Sequence, residues 1–208
     1  MNVEEYGLIH RASRGNVEAF TQLVRQHSDL VYRVALRILG PEAAKDASQE
    51  VWVRVWKALE DFRADSAFST WLYKITVNTC LSELRRERGR TEREEEHREI
   101  LSHLRDPDGE GDPEAAALGR ERQEEAIRYL QELRPDHRAA LVLRHLEGLS
   151  YAEISDVLEV PEGTAKGWVS RGRTAMFVML SQNGGDGANI EGTDGTQGGF
   201  ANGRGGES

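Results

Sequence analysis

Residues 147–176 read EGLSYAEISDVLEVPEGTAKGWVSRGRTAM, and this stretch decides the fold. Gly148 suits a left-handed cap, closing a helix that Pro135 opens at its first turn and that carries Ala139, Leu141, Val142, Leu143 and Leu146. Ser150-Tyr151-Ala152-Glu153 is a capping box: the Ser150 hydroxyl can accept from the Glu153 amide while the Glu153 carboxylate reaches back. The helix it opens carries Ile154, Val157 and Leu158. Val160-Pro161-Glu162-Gly163 predicts a short turn, and a last helix is expected from about Thr164 with Ala165, Val169, Gly172 and Met176 inside. Short helix, tight turn and longer helix make a helix-turn-helix pattern. Its outer face would present Lys166, Gly167, Ser170, Arg171, Arg173 and Thr174, donors without an acid among them. Such a face reads either as a helix for the major groove or as a solvated surface whose bases suit a helix C-terminus.

Working outward, the chain has 208 residues, 30% of them charged and 38% hydrophobic, with a formal net charge of −9. The charge is uneven. Residues 87–126 hold 7 basic and 14 acidic side chains around a DPDGEGDP breaker cluster, and they lack a sustained apolar stripe. Residues 181–208 hold ten glycines and almost no apolar side chains, so burial cannot offset the entropy of ordering them. The expected organisation is all-α: a helical block over 1–86, an acidic flexible linker over 87–126 with room for helix at its ends, a helix-turn-helix block over 127–180 and a disordered Gly-rich tail over 181–208. Each block is small, so each core is marginal by itself.

In the first block, Phe20, Leu23, Val24, His27, Leu30, Val31, Val34, Ala35 and Ile38 recur at helical spacing until Gly40-Pro41 stops them. A second helix is expected from about Glu42 to Leu59. FRADSA, residues 62–67, reads as a loop, and a third helix runs from Ser69 or Thr70 to Arg85-Arg86. Trp52, Trp56, Phe62, Phe68, Trp71 and Tyr73 crowd this region beside Arg63, Lys74, Asn78 and Arg85. Aromatic rings among bases either stack unpaired nucleotides or fill a small core. Core filling is the reading for Phe68 and Trp71, whereas Phe62 sits in a loop where a helical core has no obvious need of it.

Residues 46–52 (DASQEVW) and 62–78 (FRADSAFSTWLYKITVN) resemble conserved region two of bacterial sigma factors of the extracytoplasmic-function class. Leu133-Arg134-Pro135, Arg138 to Leu146, EGLSYAEI at 147–154 and PEGTAK at 161–166 resemble region four of that class. The resemblance implies a protein that binds core RNA polymerase, recognises promoter DNA at two elements and melts the minus-ten one, commonly under an anti-sigma factor. It implies that Asp46, Gln49 and Glu50, with Arg54 one turn on, dock on polymerase. It implies a minus-ten pocket that takes a flipped base at Ala58, Phe62 and Asn78, with Arg63 beside them; an Asn amide both donates to and accepts from a base edge. Lys166, Ser170, Arg171 and Arg173 would then meet the minus-thirty-five element. The class often has Ser-Arg where this chain has Gly167-Trp168, so one polar and one phosphate contact are missing there, and the upstream promoter sequence does not carry over. An acidic linker would repel DNA yet could thread a basic channel of polymerase.

One cysteine, Cys80, excludes an internal disulfide framework and reads as a small core residue. The six histidines show no metal-ligand pairing, and no phosphate-cradling glycine loop precedes a helix. The expectation is therefore no enzyme, no metal, no cofactor and no small-molecule substrate. The acidic N-terminus lacks a signal peptide's pattern and no segment suits a bilayer, so a cytoplasmic protein without membrane insertion is expected. Two other readings stay open: a stand-alone helix-turn-helix regulator, and an adaptor whose helices bind a regulatory protein.

Overall fold

The computed structural model describes residues 3–95 and 124–183. Among these residues the regular structure is helical throughout. Four helices build the first block: α1 (Val3–Ala12), α2 (Val17–Leu39), α3 (Pro41–Ala58) and α4 (Phe68–Glu95). A further helix, α5, covers residues 124–132, followed by α6 (Pro135–Leu141), α7 (Tyr151–Leu158) and α8 (Glu162–Asn183). A wider π turn, Val142–Leu146, prolongs α6.

Caps and breakers set the helix ends, at Gly40-Pro41, Pro135, Gly148 and Ser150–Glu153 as the sequence suggests and at Asn16 besides. Asn16 caps α2 by accepting from the Ala19 amide at 2.8 Å. Gly40 takes φ +86°, which turns the chain between α2 and α3, and Pro41 begins α3 at a position that lacks a hydrogen-bond partner anyway. Pro135 begins α6, and Gly148 at φ +77° ends its extension. The capping box forms in both directions at α7: the Glu153 amide donates to Ser150 Oγ at 3.2 Å, and the Ser150 amide donates to the Glu153 carboxylate at 2.8 Å.

Three expectations are corrected. Helix α4 does not stop at Arg85-Arg86 but runs to Glu95. Its continuation, RERGRTEREE, is rich in helix formers, and pairs such as Arg86 with Glu83 at 3.0 Å need no apolar stripe. Helix α8 begins at Glu162, not Thr164, because the reversal before it is made by Glu159 at φ +55° rather than by Gly163. Most of the expected linker and the expected disordered tail lie outside the described residues.

The third correction concerns the cores. They do not divide as two marginal blocks. One cluster, with Leu8, Leu23, Val31, Val51, Val55, Leu59, Phe68 and Leu72, lies wholly within the first block. The other draws Val34, Ile38, Ala44, Val77 and Cys80 from α2, α3 and α4 together with Leu130, Ala139, Leu143, Ile154, Val157 and Val169 from the second block. Helix α7 packs on α4, and α6 on α2 and α4. Cys80 is fully buried there, and burial pushes its thiol up to about 12, as suits an inert core residue.

Polar groups close the seam between the blocks. The carboxylate of Glu147, only 1% exposed, accepts from Arg33 Nη2 at 2.7 Å, Arg37 Nη1 at 2.5 Å and Tyr73 Oη at 2.9 Å. Burial works to raise the Glu147 pKa; the donors from Arg33 and Tyr73 and the arginine charges outweigh it, and the net direction is down. Arg138, buried on α6, donates to the Ile38 carbonyl at the end of α2, to Gln131 Oε1 at 2.8 Å and to the Leu133 carbonyl at 3.0 Å. Its guanidinium thus occupies the negative ends of α2 and α5 at once. Burial, against the opposing charge of Glu132, pushes it down to about 10. Lys74 on α4 reaches Glu159 at 2.8 Å.

Candidate nucleic-acid interface

Helices α3 and α4 run side by side and leave an open polar groove lined by Asp46, Glu50 and Arg54 from α3 and Glu83 and Arg86 from α4. Heptad-like spacing on α3 puts Ala44, Ala47, Val51 and Val55 inward, which turns Asp46 and Glu50 outward. Arg54 Nε donates to Glu50 at 2.8 Å, the i, i+4 pair the sequence suggests. That bond, followed by the charges of Arg54, Lys57 and Arg86, holds the Glu50 carboxyl below its usual range. Gln49 is exposed on the same helix but does not line the groove. The arrangement presents fixed charges of both signs along the groove.

The loop after α3 leaves Arg63 exposed and Ala58 half-buried at the end of α3. Phe62 is not the isolated loop aromatic that the sequence suggested. Its ring lies 5.7 Å from Phe68 and 5.1 Å from Trp71, so it caps the first-block core while keeping part of its surface exposed. Phe68 itself is buried at 1% exposure, as read. Asn78 lies half-buried on α4, ten residues past Phe68. Ala58 and Phe62 thus flank the loop that Ala64 turns at φ +59°, while Asn78 sits on the helix which that loop opens.

On α8, Ala165, Val169 and Gly172 face inward and are buried, while Lys166, Ser170, Arg171, Arg173 and Thr174 are exposed. The outer face is as expected in membership but not fully free. Lys166 Nζ pairs with Glu162 at 2.6 Å and lies 5.5 Å from the Tyr151 ring centre, whose other visitor is Arg144 at 4.7 Å. Arg171 donates from Nε to His137 Nε2 at 3.2 Å.

The sequence reading missed Glu147, Arg33, Arg37, Tyr73 and His137 as interacting residues. Glu147 stood inside a quoted motif, yet its partners lie more than seventy residues away and leave no local signal. Among the described residues no helix is long and apolar enough to cross a membrane.

The geometry is matched by known families. Sigma-70 region 2 matches residues 23–90, and Sigma-70 region 4 matches residues 123–176. The chain is 32% identical over 175 residues to the ECF RNA polymerase sigma-E factor of Haemophilus influenzae, covering 81% of this chain and 91% of that one. It is 35% identical over 185 residues to the RNA polymerase sigma-H factor of Pseudomonas aeruginosa, covering 85% and 94%. Among solved structures, CnrH in complex with the cytosolic domain of CnrY superposes with a TM-score of 0.60 at 26% identity, over 85% of this chain and 96% of that one. The sigma factor RpoE of Bartonella quintana, solved with the anti-sigma factor NepR, has the same fold, with a TM-score of 0.58 at 24% identity, over 78% and 96%. A two-part helical protein with region-two and region-four surfaces is a transcription initiation factor, not a stand-alone regulator. The chain belongs to the extracytoplasmic-function class of sigma factors.

Proposed function

We propose that this chain binds core RNA polymerase through the α3–α4 groove and reads two promoter elements through separate surfaces. Residues 1–86 serve polymerase binding and the minus-ten element, residues 127–180 the minus-thirty-five element, and residues 87–126 connect them. Asp46, Gln49, Glu50 and Arg54 meet polymerase. Ala58, Phe62, Arg63 and Asn78 accept the downstream element, with Asn78 reading an extruded base. Lys166, Ser170, Arg171 and Arg173 contact the upstream element. The observation that carries the reading is the pairing of a charged groove in one block with an outward basic helix face in the other. An anti-sigma factor holds the chain inactive; the sigma factor RpoE of Bartonella quintana is solved in complex with one. The protein works in the cytoplasm, beside polymerase and DNA, without metal, cofactor or chemistry of its own.

The closed seam must open for this to happen. Two elements roughly 25 base pairs apart lie about 85 Å apart along B-DNA. A closed globule of this size is about 40 Å across. Separation of α6–α8 from α2 and α4 therefore accompanies promoter binding.

The test mixes the full chain with sigma-free bacterial core polymerase and a random promoter library, and the transcripts are sequenced. Discrete start sites sharing two spaced upstream motifs are expected. Core binding without initiation would remove the promoter-reading roles, and absence of core binding would remove the docking role too. Asn78→Ala should impair opening more than core binding; an equal loss of both would sink its role.

A further inference from the structure

Gly167 and Gly172 break the helix-forming pattern of α8: a Cβ on the first would meet the Arg171 guanidinium, and one on the second the His137 backbone. A methyl group on Gly172 would lie 3.0 Å from the His137 carbonyl oxygen, so the glycine lets α8 approach α6 at His137 itself. A methyl group on Gly167 would lie 3.2 and 3.3 Å from the two terminal nitrogens of Arg171, so the second glycine gives the guanidinium room to lie along the helix. Between them, Arg171 Nε donates to His137 Nε2 at 3.2 Å. Each glycine costs helix propensity, and here each makes room for one half of the same contact.

We infer that His137 is a positioning residue for upstream-element recognition, holding the Arg171 guanidinium in one plane over Gly167. This rests on reading α8 as the helix that meets that element. With Nε engaged, the two terminal nitrogens carry the remaining donors, and a fixed plane is what a bidentate contact to guanine O6 and N7 requires. The inference also accounts for Gly167 where the class often has serine: a side chain there would push the guanidinium away. His137 accepts only in its neutral form with the proton on Nδ1, because imidazolium has no acceptor. Partial burial, then the charges of Arg171 and Arg134, lower its pKa against the opposing Asp136, so the contact is intact at neutral pH and is lost as pH falls through that lowered value.

The holoenzyme is tested with a promoter library randomised over the upstream element. His137→Ala should reduce discrimination about five- to tenfold at a single base pair, the one that Arg171→Ala also relaxes, leaving the downstream motif unchanged. His137→Gln, whose amide oxygen falls near Nε2, should restore it, and Gly167→Ser should lose it. Discrimination at that base pair should weaken for the wild type as pH falls below the ordinary histidine range and stay level for His137→Gln. An unchanged His137→Ala profile, or a loss spread evenly over all positions, would overturn the inference while leaving the promoter-reading role standing. A wild-type chain that initiates nowhere would remove that role and this one together. Independently, NMR titration of the full chain should find the His137 pKa raised by Arg171→Ala; no change would show that the contact is absent in solution.

Discussion

The two cores differ in ownership. The cluster around Phe68 belongs to the first block alone, whereas the cluster around Leu143 and Ile154 is finished by α2 and α4. The first block therefore has a core that does not depend on the second. The second block leans on a surface that the proposed opening would give up. Beside that shared apolar surface, polar groups close the seam: a carboxylate, three donors and a guanidinium over helix ends.

The largest effects should come from the two cores and should differ in kind. Phe68→Ala removes a fully packed ring and should cost about 3–5 kcal/mol, and Ile154→Ala about 2–5 kcal/mol. Followed by urea unfolding with a tryptophan signal, Phe68→Ala should loosen the whole protein, because the second block depends on the first. Ile154→Ala should leave the first block folded, visible as a second transition. If Ile154→Ala unfolded everything at once, the asymmetry between the cores would be wrong.

Glu147→Ala should come next, at about 2 kcal/mol, below the range for fully buried pairs because Arg33 is 44% exposed. Its signature is separation more than loss of stability: the radius of gyration by X-ray scattering should rise, and the unfolding transition should split. The same seam should respond to acid. The Glu147 pKa is depressed in the closed form, so its contribution is full above the ordinary carboxylate range and fades as pH falls through the lowered value. Expansion on acidification that Glu147→Ala does not share would assign the effect to this residue. Ser150→Ala should cost about 1 kcal/mol, through loss of the capping box at α7, with the seam intact.

These contrasts mark what the sequence could carry. Gly40-Pro41, Pro135, Gly148 and the Ser150–Glu153 box act within one turn of chain, so their chemistry is legible locally. The groove residues Asp46, Glu50 and Arg54 came from the family resemblance, and helical spacing agrees in turning them outward. The run of α4 to Glu95 escaped because charged residues hold a helix without an apolar stripe. Glu147 with Arg33, and His137 with Arg171, were illegible because each pair joins elements that only the tertiary fold brings together.

Both blocks also share a device, and it makes the smallest prediction. The chain enters α4 through Ala64 at φ +59° and enters α8 through Glu159 at φ +55°. Each is a non-glycine residue in the left-handed region, placed a few residues before a helix assigned to DNA. The conformation costs such a residue roughly 1–2 kcal/mol. Glycine would relieve that strain but would free the unfolded chain by about 0.5–1 kcal/mol. Ala64→Gly should therefore change stability by less than about 1 kcal/mol, measured by denaturant unfolding. Glu159→Gly should do worse, because it also loses the pair with Lys74 across the seam. What Ala64→Gly changes is the number of shapes open to residues 62–67. If the single turn presents Phe62 and Arg63 to the downstream element, minus-ten discrimination should fall in the library assay while upstream discrimination holds. Equal discrimination at both elements would mean that the loop takes its working shape from DNA and not from Ala64.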